Sequence, residues 1–315
     1  MTASATMVAR VEAYLATRRR LGYQLRIEGG ELLRFARFAD ASGHRGPVTV
    51  ELALRWAQTA ASSTRLYRAR RIETVRCFAR YQALMEPGTE VPPARILGPA
   101  HRRTQPHIYS QDQISTLLAL AARLRSQIGL RARTYVAILS LLACTGLRIS
   151  EALRLQLADV DLDAGLLTIR ETKFHKSRLV PVHPSATTAL RAYVAHRGRV
   201  QRQRPDATLF ISEAGRKIAY TTVRTVFREL ADLTVARVPG RRRPRLQDFR
   251  HSFACRCLLG WLREGVDVHE RIAALSTYLG HAKVSDTYWY LTGVPEIMAI
   301  TASRFEHFAR ERRPQ

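Results

Sequence analysis

Three stretches of the sequence carry residue types that suit chemistry on a phosphodiester. The first, T-G-L-R-I-S-E, contains Arg148. The second, E-T-K-F-H-K-S-R, contains Lys173. The third begins with L-Q-D-F-R-H-S-F-A, ends with L-G-H-A-K-V-S-D-T-Y-W-Y, and contains Arg250, His281 and Tyr290. We hypothesise that these stretches close around one phosphodiester and place a tyrosine hydroxyl against it.

The two arginines suit the charge that develops during attack on a phosphodiester. Attack builds negative charge on the equatorial oxygens, so catalysis needs fixed positive donors aimed at them. Arginine stays charged, and its planar fork pairs with two oxygens. Arg148 follows a turn at Gly146, and Arg250 stands near a predicted helix start, so each can hold one non-bridging oxygen. Loss of either should cost roughly 3–4 kcal/mol if it resembles an oxyanion-hole donor.

A tyrosine hydroxyl is the candidate nucleophile. Its ordinary pKa is about 10, so ionisation at pH 7 costs about 4 kcal/mol, and we expect nearby positive charge to offset this. A phosphotyrosyl ester keeps the energy of the broken bond, so a second hydroxyl can reseal the strand without ATP. The leaving 5′-oxygen needs a proton, which a lysine on a mobile hairpin tip such as Lys173 can supply.

At these residues the sequence resembles the tyrosine recombinases, the phage integrase family. The resemblance implies a helical core-binding (SAM-like) domain and a mixed α/β catalytic domain. It also implies an active site of Arg, Lys, His-x-x-Arg, His or Trp, and Tyr. Matched motif by motif, it assigns these roles to Arg148, Lys173, Arg250, His281 and Tyr290. The resemblance covers roughly residues 110–300 through these motifs, and it covers residues 5–86 only through their helical character.

One position departs from the family pattern. Gln247 stands where the family has the histidine of His-x-x-Arg. Glutamine can donate a hydrogen bond to a phosphate oxygen, but it carries no charge and shuttles no proton. His251 directly follows Arg250, yet on a helix its side chain points about 100° away, which favours a packed structural role. We therefore expect Gln247 to be a weaker substitute donor and the enzyme to be slower or partner-assisted.

Other assignments have rivals close by in the sequence. Lys176 lies three residues after Lys173, and Tyr288 lies two residues before Tyr290. Residues two apart on a helix point to different sides, so only one of the two tyrosines can reach the phosphate. The register of the motifs favours Lys173 and Tyr290. The alternative for His281 is a helix cap, and the alternative for the first arginine is a surface position at a helix start.

The composition predicts a polyanionic partner. Lysine and arginine number 51 against 26 acidic residues, a formal net charge of +25. Nucleic acid is the usual partner of such a surplus, because each neutralised phosphate releases counterions. A GC-rich coding bias towards arginine is the alternative. The residues predicted to contact DNA, mainly its phosphates, are Arg65, Arg68, Arg71, Arg102, Arg103, Arg241, Arg242, Arg243 and Arg245.

Residues 1–86 are predicted to form a DNA-binding domain of four helices. In the fourth, Arg65, Arg68 and Arg71 lie three residues apart, so we expect them to share a face roughly. A basic face beside an apolar one suggests a DNA clamp. A solvated face with salt bridges to Glu73 is the alternative.

Residues 87–108 are predicted to be an extended basic linker, because their prolines cannot lie inside a helix. Such a linker would let two domains close around a duplex. Residues 109–315 are predicted to be the catalytic domain, which begins with a capping box of Ser110 and Gln113.

The pattern of the catalytic domain predicts a fold that is mainly α with a small antiparallel β-sheet. The predicted helices span 133–144, 149–157, 185–196 (capped by Ser185), 222–233, 248–263, 267–277, 284–290 and 295–312, and the predicted strands span 166–170 and 178–182 around a tip at 172–176. The resemblance implies that the last helix packs against a neighbouring protomer in a ring. Folding back on its own domain is the alternative.

No metal or cofactor is expected. The four cysteines lack paired zinc spacing, and no acidic cluster with ligand spacing stands near the motifs, which disfavours a metal nuclease. The start of the chain does not resemble a secretory signal, and the longest apolar run is too short to span a bilayer. We expect a cytoplasmic, nucleoid-associated protein that has no membrane partner.

The main hypothesis is a site-specific DNA recombinase or transposon integrase. The resemblance implies cleavage of one strand at a time through a 3′-phosphotyrosyl link to Tyr290, without metal or nucleotide. The expected partners are double-stranded DNA and further copies of the chain, a dimer on a site and a tetramer at synapsis, with partner recombinases as an option. The alternatives are a catalytically weakened DNA-binding accessory subunit of a recombinase complex, set apart by Gln247, and a type IB topoisomerase.

Overall fold

The chain divides into two compact units, Met1–Thr104 and Gln105–Gln315. This is a computed structural model, and it describes residues 6–60, 64–100, 105–170, 177–200, 206–236, 238–240, 242–290, 298–299 and 302. Each unit has a hydrophobic core of its own.

The first unit contains the four predicted helices. They are α1 (Met7–Arg20), α2 (Arg26–Ala41), α3 (Val50–Gln58) and α4 (Arg65–Gln82). Three of them begin in the same way: Thr6, Thr49 and Thr64 each accept the backbone N–H of the third residue after them, at 3.2, 3.2 and 3.3 Å. Phe35 and Trp56 meet edge to face in the core, with ring centroids 5.4 Å apart.

Part of the segment assigned to the linker hydrogen-bonds to the first unit. The Glu90 carboxylate accepts the backbone N–H of Val50 at 2.8 Å. The guanidinium of Arg76 donates to the carbonyl of Pro92 at 3.0 Å, and that of Arg70 donates to the carbonyl of Ala100 at 3.0 Å. These bonds hold residues 90–100 along α3 and α4.

The second unit is built around one apolar helix. Its helices are α5 (Gln111–Ala122), α6 (Leu130–Thr145), α7 (Ile149–Ala152), α8 (Pro184–Gly198), α9 (Tyr220–Thr234), α10 (Asp248–Arg263), α11 (Val268–Leu279) and α12 (Ser285–Tyr288). The α6 helix is buried on most sides and packs against α5, α8 and α10. The predicted capping box of Ser110 and Gln113 opens α5.

The described residues contain one three-stranded antiparallel sheet in the order β1 (Val160–Asp161), β2 (Leu166–Ile169), β3 (Arg178–Pro181). In the β2–β3 pair, Leu167 lies opposite Val180 and Ile169 opposite Arg178. Leu167, Ile169 and Val180 face the core, as their alternation predicts. The tip of this hairpin lies outside the described residues. The two-residue β1 strand was not predicted, because it is too short to show a period.

Several helix boundaries differ from those predicted, and two of the differences have a clear structural cause. The helix expected over 149–157 ends at Ala152, because the backbone beyond it pairs with another segment: Leu209 N–H donates to the Leu155 carbonyl at 2.7 Å, and Leu157 N–H to the Ala207 carbonyl at 3.0 Å. The expected cap Ser185 lies inside α8, since His183 is the capping residue. The helix predicted over 295–312 lies outside the described residues, apart from 298–299 and 302.

Within the described ranges, no helix is long and apolar enough to cross a membrane. The same residues contain no group of three or more His, Cys, Asp or Glu side chains that could hold a metal ion. All four cysteines are free thiols.

Candidate active site

The turn between α6 and α7 positions Arg148. Gly146 ends α6 with a φ of +62°, a left-handed conformation that favours glycine. A Cβ at this position would lie 2.7 Å from the ring of Phe253 on α10. Glycine therefore allows α10 to approach the turn closely, and the chain then places Arg148 at the start of α7.

The two candidate arginines converge on the turn that follows α11. Arg250 is 1% exposed, and its guanidinium donates to the carbonyls of Gly146 at 3.0 Å and Leu279 at 2.7 Å. Arg148, which is partly exposed, donates to the carbonyl of Gly280 at 3.3 Å. Side chains about a hundred residues apart in sequence thus meet at two consecutive carbonyl groups.

His281 and Tyr290 complete this cluster. The hydroxyl of Tyr290 lies 3.5 Å from Nε2 of His281, and the two rings stack with centroids 5.9 Å apart. The other ring nitrogen, Nδ1, is 2.7 Å from the hydroxyl of Thr287, which orients the imidazole. The guanidinium of Arg250 lies against the same tyrosine and favours its ionised form. Four predicted site residues, Arg148, Arg250, His281 and Tyr290, therefore lie together.

The electrostatics differ from expectation at the candidate nucleophile. Tyr290 is 5% exposed, and burial raises the pKa of its hydroxyl, an effect that the charges of Arg250 and Arg148 only partly offset. Positive charge therefore acts on this hydroxyl in the expected direction, but burial outweighs it in the DNA-free protein. Burial and the charge of Arg148 lower the pKa of Arg250 to about 10, so this arginine remains protonated at pH 7.

We expect His281 to stay neutral in the DNA-free protein down to about pH 4. Burial, and then the charges of Arg250 and Arg148, lower its pKa to about 4, against an ordinary value of 6.5. The unfolded chain binds the proton more readily, so this histidine should reduce stability as the pH falls from about 6.5 to 4. NMR titration of the ring measures the pKa directly. A midpoint near 6.5 would contradict the prediction.

Gln247 and His251 flank Arg250 on α10. Gln247 is half-buried at the N-cap position, one turn before Arg250, and within the described part of the chain its side-chain amide makes no hydrogen bond. His251 is also half-buried, and its ring meets that of Tyr290 edge-on at 5.3 Å. Burial lowers the pKa of His251 to about 4. Its packing against an aromatic ring fits the structural role predicted for it.

Sequence reasoning missed the residue that holds Arg148. Glu151, three residues later in the same motif, is buried, and its carboxylate accepts from the guanidinium of Arg148 at 2.8 Å and from its backbone N–H at 3.0 Å. Burial alone would raise the pKa of Glu151, but hydrogen bonds and charge from Arg178 and Arg148 lower it. The signal available in the sequence was the i, i+3 spacing of an acid after an arginine.

The predicted basic face of α4 is wrong at Arg71. Arg65 is exposed, Arg68 is half-buried and Arg71 is 7% exposed. A three-residue step on a helix rotates by 300°, so the series drifts towards the core instead of following one face. Arg71 stacks on the ring of Trp56 at 3.8 Å and donates to the hydroxyl of Thr59 at 3.1 Å. Arg71 therefore stabilises the core of the first unit, and its side chain is not exposed on the surface for a partner to contact.

The predicted basic loop before α10 is partly engaged with acidic residues. Arg245 forms a 2.8 Å ion pair with Asp248, which also accepts its backbone N–H, so it stabilises the start of α10. Arg243 lies 3.6 Å from Asp232, and Arg242 is exposed. The predicted residues Arg102, Arg103, Lys173 and Arg241, and the rival Lys176, lie outside the described residues.

Comparisons with known proteins agree on one family. The phage integrase family model matches residues 108–294. A Sinorhizobium fredii protein named as an integrase/recombinase is 40% identical over 301 residues, which cover 94% of this chain and 96% of that protein. The tyrosine recombinase XerC of Myxococcus xanthus is 31% identical over 228 residues, 71% of this chain and 70% of that protein.

Two solved structures share the fold. The Tn1549 transposon integrase in complex with transposon right-end DNA has a TM-score of 0.68 at 14% identity and covers 97% of this chain and 100% of that one. The XerH site-specific recombinase bound to a palindromic difH substrate has a TM-score of 0.66 at 16% identity and covers 96% of this chain and 86% of that one.

Proposed function

The chain belongs to the phage integrase family and is a tyrosine recombinase, and we propose that Tyr290 is the nucleophile through which it cuts and rejoins DNA strands. The observation that carries this proposal is that two arginines meet at the turn after α11, beside a tyrosine hydroxyl that lies 3.5 Å from Nε2 of His281. That cluster supplies a nucleophile together with fixed positive charge, which phosphoryl transfer needs.

In the proposed reaction the Tyr290 oxygen attacks the scissile phosphorus. A bond forms between that oxygen and phosphorus while the bond from phosphorus to the 5′-oxygen breaks, which leaves a 3′-phosphotyrosyl link. Arg148 and Arg250 stabilise the negative charge on the non-bridging oxygens. Neutral His281 faces the hydroxyl through Nε2 and can accept its proton, and Lys173 gives a proton to the leaving 5′-oxygen. A second 5′-hydroxyl reverses these steps and reseals the strand.

Covalent capture on a nicked substrate tests this function. DNA carrying a nick just beyond the cleavage site loses a short fragment after attack, so the protein remains attached to the strand. We expect a protease-sensitive adduct on the 3′ end of that strand, without added metal or nucleotide. A recombinase should form it only on its own sites. Relaxation of any supercoiled plasmid would instead indicate a type IB topoisomerase, and absence of an adduct from purified protein would contradict the proposal.

Gln247→His is expected to accelerate cleavage roughly tenfold. The anionic phosphate favours a protonated imidazole beside it. A charged donor contributes about 1.5–3 kcal/mol to a hydrogen bond against about 1 kcal/mol for a neutral one, so a histidine one turn before Arg250 should hold the phosphate better than the amide does. Single-turnover cleavage rates measure the effect, with Gln247→Ala as the matched control that removes the donor. Equal rates for the parent, His and Ala proteins would show that this position does not contact the phosphate.

DNA is the proposed macromolecular partner. Two of the similar structures are complexes with DNA, and the formal net charge of +25 supports a polyanion on this chain as well. We further propose that the first unit contributes to this contact through its exposed arginines, and that copies of the chain act as a dimer on a site and as a tetramer at synapsis.

A further inference from the structure

Arg178, the last residue of the stretch that contains Lys173, contacts several parts of the candidate site, although neither the sequence analysis nor the proposed reaction gives it a role. It is the first residue of β3, opposite Ile169, and its side chain is 11% exposed. Its guanidinium donates to both carboxylate oxygens of Glu151, at 2.9 and 3.3 Å. Its Nε donates to the carbonyl of Tyr278, near the end of α11, at 2.8 Å. One side chain thereby connects β3, α7 and α11.

The carboxylate of Glu151 is shared evenly between two arginines. One oxygen accepts from the guanidinium of Arg148 at 2.8 Å and from Arg178 at 3.3 Å. The other accepts from the backbone N–H of Arg148 at 3.0 Å and from Arg178 at 2.9 Å. The side chain of Glu151 is 2% exposed, so these protein donors replace water around its charge.

The turn after α11 closes over the same guanidinium. A Cβ at Gly280 would lie 2.6 Å from Nη1 of Arg178, so the backbone there rests directly on it. The carbonyl of Gly280 accepts from Arg148, and the next residue is His281. The position of this turn, and with it that of the candidate histidine, therefore depends on Arg178.

Sharing the carboxylate also determines how much charge Arg148 can offer a phosphate. If Arg148 and Glu151 formed an ion pair by themselves, the pair would be neutral, because the carboxylate that orients the arginine would also cancel its charge. With Arg178 on the same carboxylate, two positive charges face one negative charge, and the group keeps a net charge of +1. The surplus lies in a largely buried place, where charge acts more strongly than in water.

We propose that Arg178 is a positioning residue for strand cleavage, which shares Glu151 with Arg148 so that Arg148 is oriented towards the phosphate without being neutralised. The proposal rests on the proposed function and deepens it. Arg178 itself touches no reacting atom. It acts through Glu151 and through the turn that precedes His281.

Single-turnover cleavage by Arg178 variants tests this role. Arg178→Met should cleave about 100-fold more slowly, the loss typical of a misplaced catalytic group. Arg178→Lys keeps a charge but not the fork, so it should lose less, about tenfold. Arg170→Met is the matched control, because Arg170 directly follows β2 at the same end of the strand pair but forms an ion pair with Asp159, and its exposed side chain does not contact Glu151. Its rate should stay within about threefold of the parent.

A second substitution separates charge sharing from a structural role. In Arg178→Met, the remaining carboxylate neutralises Arg148, so adding Glu151→Gln should restore the cleavage rate roughly tenfold. If Arg178 were only structural, the second change would leave the rate unchanged or lower it. Thermal unfolding of each variant shows whether a slow protein is folded. If Arg178→Met does not fold, Arg178→Lys still decides the matter, since a Lys variant as active as the parent overturns the proposal.

Covalent capture by the parent protein is measured first. If it forms no covalent adduct, the proposed function fails before Arg178 is tested. If the parent reacts but the Arg178 variants match Arg170→Met, the inference about Arg178 fails alone.

Discussion

Tyr290→Phe is expected to abolish covalent capture of nicked DNA and to leave DNA binding unchanged. The substitution removes one oxygen, the proposed nucleophile, and no other group in the cluster can form the same ester. The phenyl ring stays in the apolar cluster that position 290 forms with residues of α10 and α11, so the fold should be retained. Denaturing gels measure the adduct and band shifts measure binding. We expect no adduct above background and an affinity within about twofold of the parent, because only one polar contact is lost.

Tyr288→Phe is the matched control for this experiment. Tyr288 lies two residues earlier and is half-exposed, and its hydroxyl is 3.3 Å from His269, away from the arginine cluster. The control should form adduct at the parent rate. If Tyr290→Phe still became attached to DNA while Tyr288→Phe did not, the nucleophile would be Tyr288 and the proposed assignment would be wrong.

Arg250→Met should slow single-turnover cleavage by at least 100- to 1,000-fold, which corresponds to about 3–4 kcal/mol for the loss of one donor to the developing charge. The loss should also affect folding, because the carbonyls of Gly146 and Leu279 would remain buried without this donor, at about 1–3 kcal/mol each. Arg250→Lys should rescue little, since a single ammonium cannot reach both carbonyls and a phosphate oxygen in the same geometry.

Arg256→Met separates the two effects. Arg256 lies six residues further along α10 and is half-buried. It donates to the carbonyl of Ala143 at 2.5 Å, so it makes a similar structural contact away from Tyr290. The control should lower the unfolding temperature but keep the cleavage rate within about threefold. If both variants slowed cleavage equally at equal stability, Arg250 would have no special role in the chemistry.

The parts of the fold that depend on local sequence were predictable. The α10 helix spans the predicted residues 248–263, because its apolar positions recur at helical spacing after the motif. Three of the four helices of the first unit begin at threonine caps that the sequence displays. The β2–β3 pair follows from alternation in two short segments on either side of a predicted turn.

The features that depend on tertiary pairing were not predictable. The helix after Arg148 stops early because a distant segment takes its backbone hydrogen bonds. The sequence predicts that Arg71 is an exposed cation, but its guanidinium stacks on the ring of Trp56 from another helix. The pairing of Glu151 with Arg178 joins residues 27 positions apart, and nothing in either local pattern specifies it. In each case a partner remote in sequence outweighs the local preference.

On the proposed mechanism, the burial of Tyr290 keeps the DNA-free protein inactive. With 5% of the residue exposed, its hydroxyl cannot meet a phosphodiester on a duplex until α12 or its surroundings move. The free energy for that movement must come from substrate that binds the open form better than the closed one. If the open form makes up about 1% of the free protein, the apparent affinity for DNA is about 100-fold lower than the affinity of the open form. The same closure keeps Tyr290 from reacting with unrelated phosphate esters.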